Sequence, residues 1–246
     1  MSAPAPKPLL FGRTVNAIHC VGIGGMGVGP LAIYLVERGF NVSGEDDAMT
    51  DVMREQLERA GIQITDTGAV PAQANLVAYS SAISPQHPAH RTATERKLPL
   101  VRRGELLAEV TRDRKLVAIC GSHGKTTTTA MVAIGLRQAA FPAGYVLGGL
   151  FNDAQIPPAS AGTNDWVVAE IDESDGTIAK FSPEITVAVN LDWDHPDHYR
   201  QLADLQAAFA SLFQRTRGTV LLNDACALSA HLTAANRATQ FATFGR

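Results

Sequence analysis

The sequence predicts an α/β chain built from two parallel-sheet units in series, and three observations carry that expectation. A short apolar run, a glycine-rich turn and a helical stretch follow one another twice, once near residue 20 and again near residue 120. Elsewhere short apolar runs alternate with amphipathic stretches, the rhythm of a parallel sheet covered by helices. The 246 residues suffice for one or two domains, and 46% hydrophobic against 18% charged residues marks a chain that buries a core rather than a disordered one.

Residues 16–21 form an apolar strand that runs into Gly22-Ile23-Gly24-Gly25-Met26-Gly27, and a helix is expected over 31–38. A second strand, 41–43, ends at Gly44-Glu45-Asp46, and the helix over 50–60 has Thr50 as its N-cap and Gly61 as its stop. Further strands fit 63–65, 76–79 and 98–101, with Ser80-Ser81-Ala82-Ile83 just past the strand at 76–79. At Lys115 the pattern restarts: 116–120 is a buried strand, Gly121-Ser122-His123-Gly124 a second glycine loop and 125–139 a helix. Strands at 165–170, 185–191 and 219–223 follow, with an amphipathic helix at 202–213. The polar run Thr111-Arg112-Asp113-Arg114 separates the two patterns, so the expected domains are a Rossmann-like one over 1–111 and a P-loop-type α/β one over 112–246.

With 21 Lys plus Arg against 24 Asp plus Glu, the formal charge is −3, which leaves no basic field for a nucleic-acid backbone or an anionic membrane. The opening MSAPAPKP lacks the apolar core of a signal peptide, and no stretch approaches the ~18–20 apolar residues of a membrane span. A cytoplasmic chain is therefore expected. Cys20, Cys120 and Cys226 are odd in number, without a CxxC pair or metal-ligand spacing, and are expected to be reduced and mostly buried.

The first loop satisfies G-x-G-x-x-G with Gly22, Gly24 and Gly27, and Glu45 and Asp46 stand about 20 residues on, where a dinucleotide site needs an acid. Backbone amides at the helix start would hold a diphosphate. The same glycines also suit a tight turn without ligand, and NAD, FAD and a UDP-sugar all carry the pyrophosphate. The second loop departs from G-x-x-x-x-G-K-[ST] in having Ile119 where the first glycine belongs. Its parts still have defined work: amides of Gly124, Lys125 and Thr126 wrap a β-phosphate, Lys125 reaches β- and γ-oxygens, and the Thr126 hydroxyl ligates Mg²⁺.

Glu170 closes a strand and is followed by Ile171-Asp172-Glu173-Ser174-Asp175, so carboxylates gather beyond a strand end, where ligands bind in open α/β sheets. Asp192, Asp194, His195, Asp197 and His198 follow the next strand, and an imidazole among carboxylates suggests a metal ligand or a base. Either cluster alone reads as a solvated loop; beside a phosphate loop both read as a site. His19 and His123 flank the glycine loops in orienting roles, while His87, His90 and His231 carry no signal.

Together Ile18-His19-Cys20-Val21-Gly22-Ile23-Gly24-Gly25, Ser80-Ser81-Ala82-Ile83, the run 121–129, the run 170–175 and the run 190–195 resemble the Mur ligase family, in order, from about residue 14 onward. The resemblance implies an ATP-dependent ligase in which the lactyl carboxylate of UDP-N-acetylmuramate is phosphorylated and the amine of L-alanine attacks the acyl phosphate. By motif position it implies an ATP site of Gly121, Ser122, His123, Gly124, Lys125, Thr126 and Thr127, with Lys125, Glu170 and His195 catalytic and Thr126, Glu170 and His195 on Mg²⁺. It likewise implies a UDP-sugar site of Gly22, Gly24, Gly25, Met26, Gly27, Asp46, Ser80, Ser81 and Ala82. Glu45 stands where the family more often has serine, which leaves open whether Glu45 or Asp46 meets the ribose, and Trp193 is a bulky neighbour for the metal site. The family also has a third, C-terminal domain, which this chain is expected to lack. Weak to moderate UDP-N-acetylmuramate binding, poor ATP binding and little turnover are the expectation for it.

Three other readings compete. A murein-recycling ligase that adds a preformed tripeptide shares the same first domain, although Asp172-Glu173-Ser174-Asp175 and the Asn190, Asp194, His195, Tyr199 spacing lean to the alanine enzyme. A module that only binds UDP-sugar has no need of Lys125, Thr126, Glu170 and His195. An NAD-dependent oxidoreductase leaves the second glycine loop unexplained.

Overall fold

The computed structural model describes residues 9–192, 199, 201–226, 232 and 240–245. The chain forms two compact units: one takes the chain up to Val110 together with Gly149–Ser160, the other takes Thr111–Gly148 and the chain from Ala161 onward. A single boundary was expected at 111/112; the structure adds the return of 149–160 to the first unit.

In the first unit β1 (Leu9–Leu10) and β2 (Arg13–Thr14) make a small antiparallel pair. There follow β3 (Ala17–Val21), α1 (Val28–Glu37), β4 (Asn41–Glu45), α2 (Asp51–Arg59), β5 (Gln63–Ile64), β6 (Leu76–Tyr79), α3 (Pro88–Glu95), β7 (Leu100–Arg102) and α4 (Arg103–Val110). The five strands β3 to β7 lie in the order β5-β4-β3-β6-β7, all parallel. Every residue of β3 is buried, as a strand covered on both faces requires. The chain leaves β3 to one side for β4 and later returns to its other side for β6, so the crevice at the carboxyl ends of β3 and β6 is the switch point where such sheets take ligands.

Local chemistry sets the boundaries. Helix α1 starts three residues before its expected first residue because Pro30 sits in the first turn, where a missing N–H breaks no helical bond. β4 runs on through Gly44 and Glu45, since a Cβ on Gly44 would lie 2.5 Å from Ile23 Cδ1 and 2.6 Å from the Cys20 carbonyl, and only glycine lets the strand pass there. At α2 the Thr50 hydroxyl accepts the Met53 N–H at 3.3 Å, and Gly61 takes φ +73° just past the end. The returning segment docks on the same helices: Gln56 Nε2 and Arg59 Nη1 both donate to the Ala154 carbonyl, at 2.7 and 2.8 Å, and Ser160 Oγ donates to Glu37. The Arg96 guanidinium donates to the carbonyls of Val70, Pro71, Ala72 and Ala74, fastening the connection that precedes β6.

The second unit contains β8 (Lys115–Cys120), α5 (Lys125–Gln138), β9 (Ala143–Val146), β11 (Trp166–Glu170), a 3₁₀ turn at Thr177–Lys180, β12 (Ile185–Ala188), α6 (Leu202–Arg215), β13 (Thr219–Asn223) and β14 (Gln240–Phe244), and its sheet also takes β10 (Ala159–Gly162), the strand in which the returning segment ends. The order is β10-β9-β11-β8-β12-β13-β14, and the pairs running from β9 to β14 are parallel. β8 lies between β11 and β12, so the chain leaving its carboxyl end is bordered by the ends of both. Cys20, Cys120 and Cys226 are free thiols, and burial pushes the Cys20 thiol up to about 12. Among the described residues no helix is long and apolar enough to cross a membrane.

Candidate functional site: two glycine loops at sheet ends

In the second unit the chain turns sharply out of β8 at Gly121, with φ +125°, and enters α5 from Gly124, with φ +78°. A Cβ on Gly121 would stand 2.4 Å from the Asn190 carbonyl oxygen. The loop is braced from the chain beyond β12: Asn190 Oδ1 accepts the His123 N–H at 2.8 Å, and Asn190 Nδ2 donates to the His123 carbonyl at 2.9 Å. The Ser122 hydroxyl donates to the Asp192 carbonyl at 2.7 Å and accepts the Asp192 N–H at 2.9 Å. Ser122 and His123 thus shape the loop. The amides that open α5, at Lys125, Thr126 and Thr127, are those a helix start offers to an anion, and α5 carries neither a side-chain cap nor an acid in its first turn.

Lys125 and Thr126 each meet one carboxylate. Lys125 Nζ donates to the Gly121 carbonyl at 2.7 Å and to both oxygens of Glu173, at 3.2 and 3.3 Å. Thr126 Oγ1 donates to Glu170 Oε2 at 2.7 Å. Glu170 sits at the carboxyl end of β11, in register with Ile119 of β8, so strand pairing delivers it to the loop. Gly148 makes room for it: a Cβ there would fall 2.4 Å from Glu170 Oε1.

Burial pushes the Glu173 carboxyl above the usual carboxylate range, and the Lys125 charge offsets part of that rise. Tyr199 donates its hydroxyl to the Glu173 carbonyl at 2.8 Å; burial, then the charges of Glu173, Asp172 and Asp175, push it up to about 12, so it stays a donor. Asp172 accepts the Ser174 N–H, and Asp175 accepts the N–H and hydroxyl of Thr177. Within the acidic run, then, Glu170 and Glu173 face the second glycine loop, whereas Asp172 and Asp175 fold the turn.

The Thr126 hydroxyl and the Glu170 carboxylate are hard oxygen donors of the kind Mg²⁺ takes, and the set suits that ion rather than a thiophilic metal. Among the described residues no group of three His, Cys, Asp or Glu side chains is arranged to hold a metal, and Mg²⁺ commonly keeps water and substrate phosphate oxygens beside one or two protein ligands. Trp193, Asp194, His195, Asp197 and His198 lie outside the described residues.

In the first unit Gly22, at φ +77°, ends β3, and the N–H groups of Gly22 and Ile23 both donate to the Glu45 carbonyl, at 2.9 and 3.1 Å. Asp46 clasps the loop: Oδ2 accepts the Gly24 N–H at 2.8 Å and Oδ1 the Ala48 N–H at 2.8 Å. Helix α1 opens from Gly27 without a side-chain cap or an acid in its first turn, and Met26 beside it is exposed. The turn 80–83 is brought to the same place: the Ser80 N–H donates to Val21, Ser80 Oγ accepts the Ala82 N–H, and Ser80 and Ile83 approach Gly22. Ser81 and Ala82 face solvent.

Glu45 is 1% exposed, its Oε2 accepting the Gly68 N–H and its Oε1 3.5 Å from His19 Nε2 and 3.9 Å from His87 Nδ1. A cavity of about 190 Å³ borders Gly22, Glu45, Asp46, Ile83 and His87. A larger one, about 340 Å³, opens at the other end of the sheet by Ala17 and Asn41 and has no charged lining residue.

Sequence reasoning missed Arg103, whose guanidinium lies over Gly27, with Nε 3.1 Å from where a Cβ would be. It also missed His87, which packs near Glu45, and Asn190 as the brace of the second loop. Only the Arg102-Arg103 pair at the end of an apolar run hinted at a cation there.

Two parallel sheets in series, each with a glycine loop that opens a helix at the carboxyl end of an interior strand, place the chain in the class of α/β proteins with tandem strand–glycine loop–helix units. Within that class the chain belongs to the Mur ligase family: residues 17–115 match the Mur ligase family, catalytic domain, and residues 119–246 the Mur ligase middle domain. It is 38% identical over 217 residues to a UDP-N-acetylmuramate–L-alanine ligase of Myxococcus xanthus, covering 87% of this chain and 46% of that protein. Among solved structures it resembles a UDP-N-acetylmuramate-alanine ligase from Thermotoga maritima, with TM-score 0.82 and 28% identity over 94% of this chain and 52% of that one. It also resembles a UDP-N-acetylmuramate:L-alanyl-gamma-D-glutamyl-meso-diaminopimelate ligase from Neisseria meningitides, with TM-score 0.84 and 26% identity over 94% and 78%. The chain spans less than half the length of the curated relatives it matches.

Proposed function

We propose that this chain carries the UDP-sugar and ATP sites of a cytoplasmic amide ligase of peptidoglycan precursor synthesis, one that joins L-alanine to UDP-N-acetylmuramate with ATP and Mg²⁺. The observation that carries this reading is the pairing of Thr126 with Glu170 and of Lys125 with Glu173 at the start of α5, in a chain whose first unit also opens a helix, α1, from a glycine loop. A carboxylate is a poor electrophile because its oxygen will not leave. Transfer of the γ-phosphoryl group to that oxygen, with ADP departing, makes a phosphate leaving group; attack of the amine on the carbonyl carbon then forms the amide and expels phosphate.

In this scheme the α5 amides and Lys125 hold the triphosphate and neutralise charge on the transferred group. Thr126 and Glu170 would hold Mg²⁺, which when bound lowers the charge repulsion between the phosphate and the incoming carboxylate. In the first unit Gly24, Gly25 and Met26 at the head of α1 take the UDP diphosphate, with Arg103 as a further cation beside it. The uridine would lie towards Glu45, Asp46 and the turn 80–83.

Titration with UDP-N-acetylmuramate and, separately, NADH tests the first site: saturable UDP-N-acetylmuramate binding is expected, and binding of NADH alone overturns the assignment. A second acceptor reading, a preformed tripeptide, draws on the likeness to the Neisseria ligase. The relatives at 37–39% identity that are named for L-alanine favour the single amino acid. ADP release with L-alanine set against release with L-alanyl-γ-D-glutamyl-meso-diaminopimelate decides between them.

A further inference from the structure

Lys125 Nζ is already engaged, held between the Gly121 carbonyl and the two oxygens of Glu173. On the nucleotide reading of this loop, on which the inference rests, the same ammonium has to reach phosphate oxygens. We propose that Glu173 is the residue that sets ATP affinity in this chain: a resident counter-ion that occupies Lys125 until the triphosphate displaces it.

The geometry makes Glu173 a fixed competitor rather than a mobile surface charge. Its side chain is 2% exposed against 13% for Lys125, so the lysine is the partner with room to move. The backbone of Glu173 is anchored where it stands: its carbonyl takes the Tyr199 hydroxyl, and the turns capped by Asp172 and Asp175 fix the chain on either side. Three residues earlier Glu170 is committed to Thr126. Two carboxylates from one strand end therefore divide the loop, one on the hydroxyl and one on the ammonium.

Phosphate capture then exchanges one charge-assisted contact of Lys125 for another and takes the ammonium from a buried carboxylate, which is costly. Glutamine at 173 removes both the competitor and that cost. The sign of the effect is diagnostic, because loss of a merely structural residue loosens binding whereas loss of a competitor tightens it.

The test is calorimetric titration of the 246-residue chain with ATP in the presence of Mg²⁺, for wild type, Glu173→Gln, Glu173→Asp, Lys125→Met and the Lys125→Met, Glu173→Gln pair, each checked for folding by circular dichroism. Glu173→Gln is expected to bind roughly tenfold more tightly, the scale of one charge-assisted hydrogen bond. Glu173→Asp, which draws the carboxylate back, should shift the same way by less, and the tightening should vanish when Lys125 is also replaced. Unchanged or weaker ATP binding by folded Glu173→Gln overturns the proposal; should that variant not fold, the direction of change in Glu173→Asp decides it. No ATP binding at all, not even the weak binding expected of this chain, in the wild type and both Glu173 variants overturns the nucleotide reading itself, and this inference with it.

Discussion

Gly148 shows how much of this site depends on an atom that is missing. Its lack of a side chain leaves space for the Glu170 carboxylate, since a methyl there would sit 2.4 Å from Oε1. Gly148→Ala should therefore drive Glu170 off Thr126 and act like Glu170→Gln: ATP binding without metal is kept, and the strengthening by Mg²⁺ falls by about tenfold or more, the loss of one charged oxygen ligand. Calorimetry with and without Mg²⁺ reads both variants, and an undiminished Mg²⁺ effect in Gly148→Ala argues against the placement of Glu170. At this scale the sequence showed Lys125, Thr126 and Glu170, because spacing along one strand-loop-helix unit is itself geometry. It did not show Gly148, Arg103 or the bracing role of Asn190. Their roles arise from which strand ends lie side by side, and nothing local to each residue encodes that.

The elements were legible where glycine or a capping residue punctuates them, as at Gly22, Thr50, Gly61 and Gly124. They were obscure where those signals are displaced. Helix α3 begins with Pro88 at its first position and the His87 side chain accepting the Ala89 N–H, so a Ser-Pro-Gln-His-Pro stretch that reads as loop in fact ends in a helix start. Helix α4 follows β7 without an intervening turn, and β10, Ala-Ser-Ala-Gly, has no β-branched residue to mark it.

Helix α3 also gives the first unit an acid sensitivity. His90 is 7% exposed, its Nε2 has no hydrogen-bond partner among the described residues, and Tyr79 packs edge-on against its ring. Burial, then the charge of His87, holds its imidazole below the ordinary value of 6.5. Between the two values the unfolded chain binds the proton and the folded chain does not, so the contribution is complete above the unfolded value and is lost as pH falls. Thermal denaturation followed from pH 7 to about pH 5 should show a falling midpoint that is flatter in His90→Phe; equal slopes would count against it. At α2, Thr50→Ala should cost about 1 kcal/mol in a urea titration.

For the whole molecule, the two glycine loops belong to different units, each with its own parallel sheet. Lys125→Met should weaken ATP binding by about tenfold or more while UDP-N-acetylmuramate affinity stays within about twofold, since the two loops share no partner within their own units. Gly24→Val should do the reverse, because a Cβ there would already meet Asp46 Cγ at 2.9 Å and break the clasp of the first loop. Loss of both affinities in either variant would show that the loops are one coupled site.

The return of 149–160 to the first unit means that the chain has no single scissor point. A gene cut at residue 110 yields a leading piece whose α2 has lost the Ala154 carbonyl taken by Gln56 and Arg59, together with the Ser160 partner of Glu37. The trailing piece carries an orphan stretch whose neighbours are gone. Dissection into autonomous halves therefore calls for splicing 149–158 onto the first unit and closing the gap ahead of β10, which belongs to the second sheet, rather than for truncation at one point.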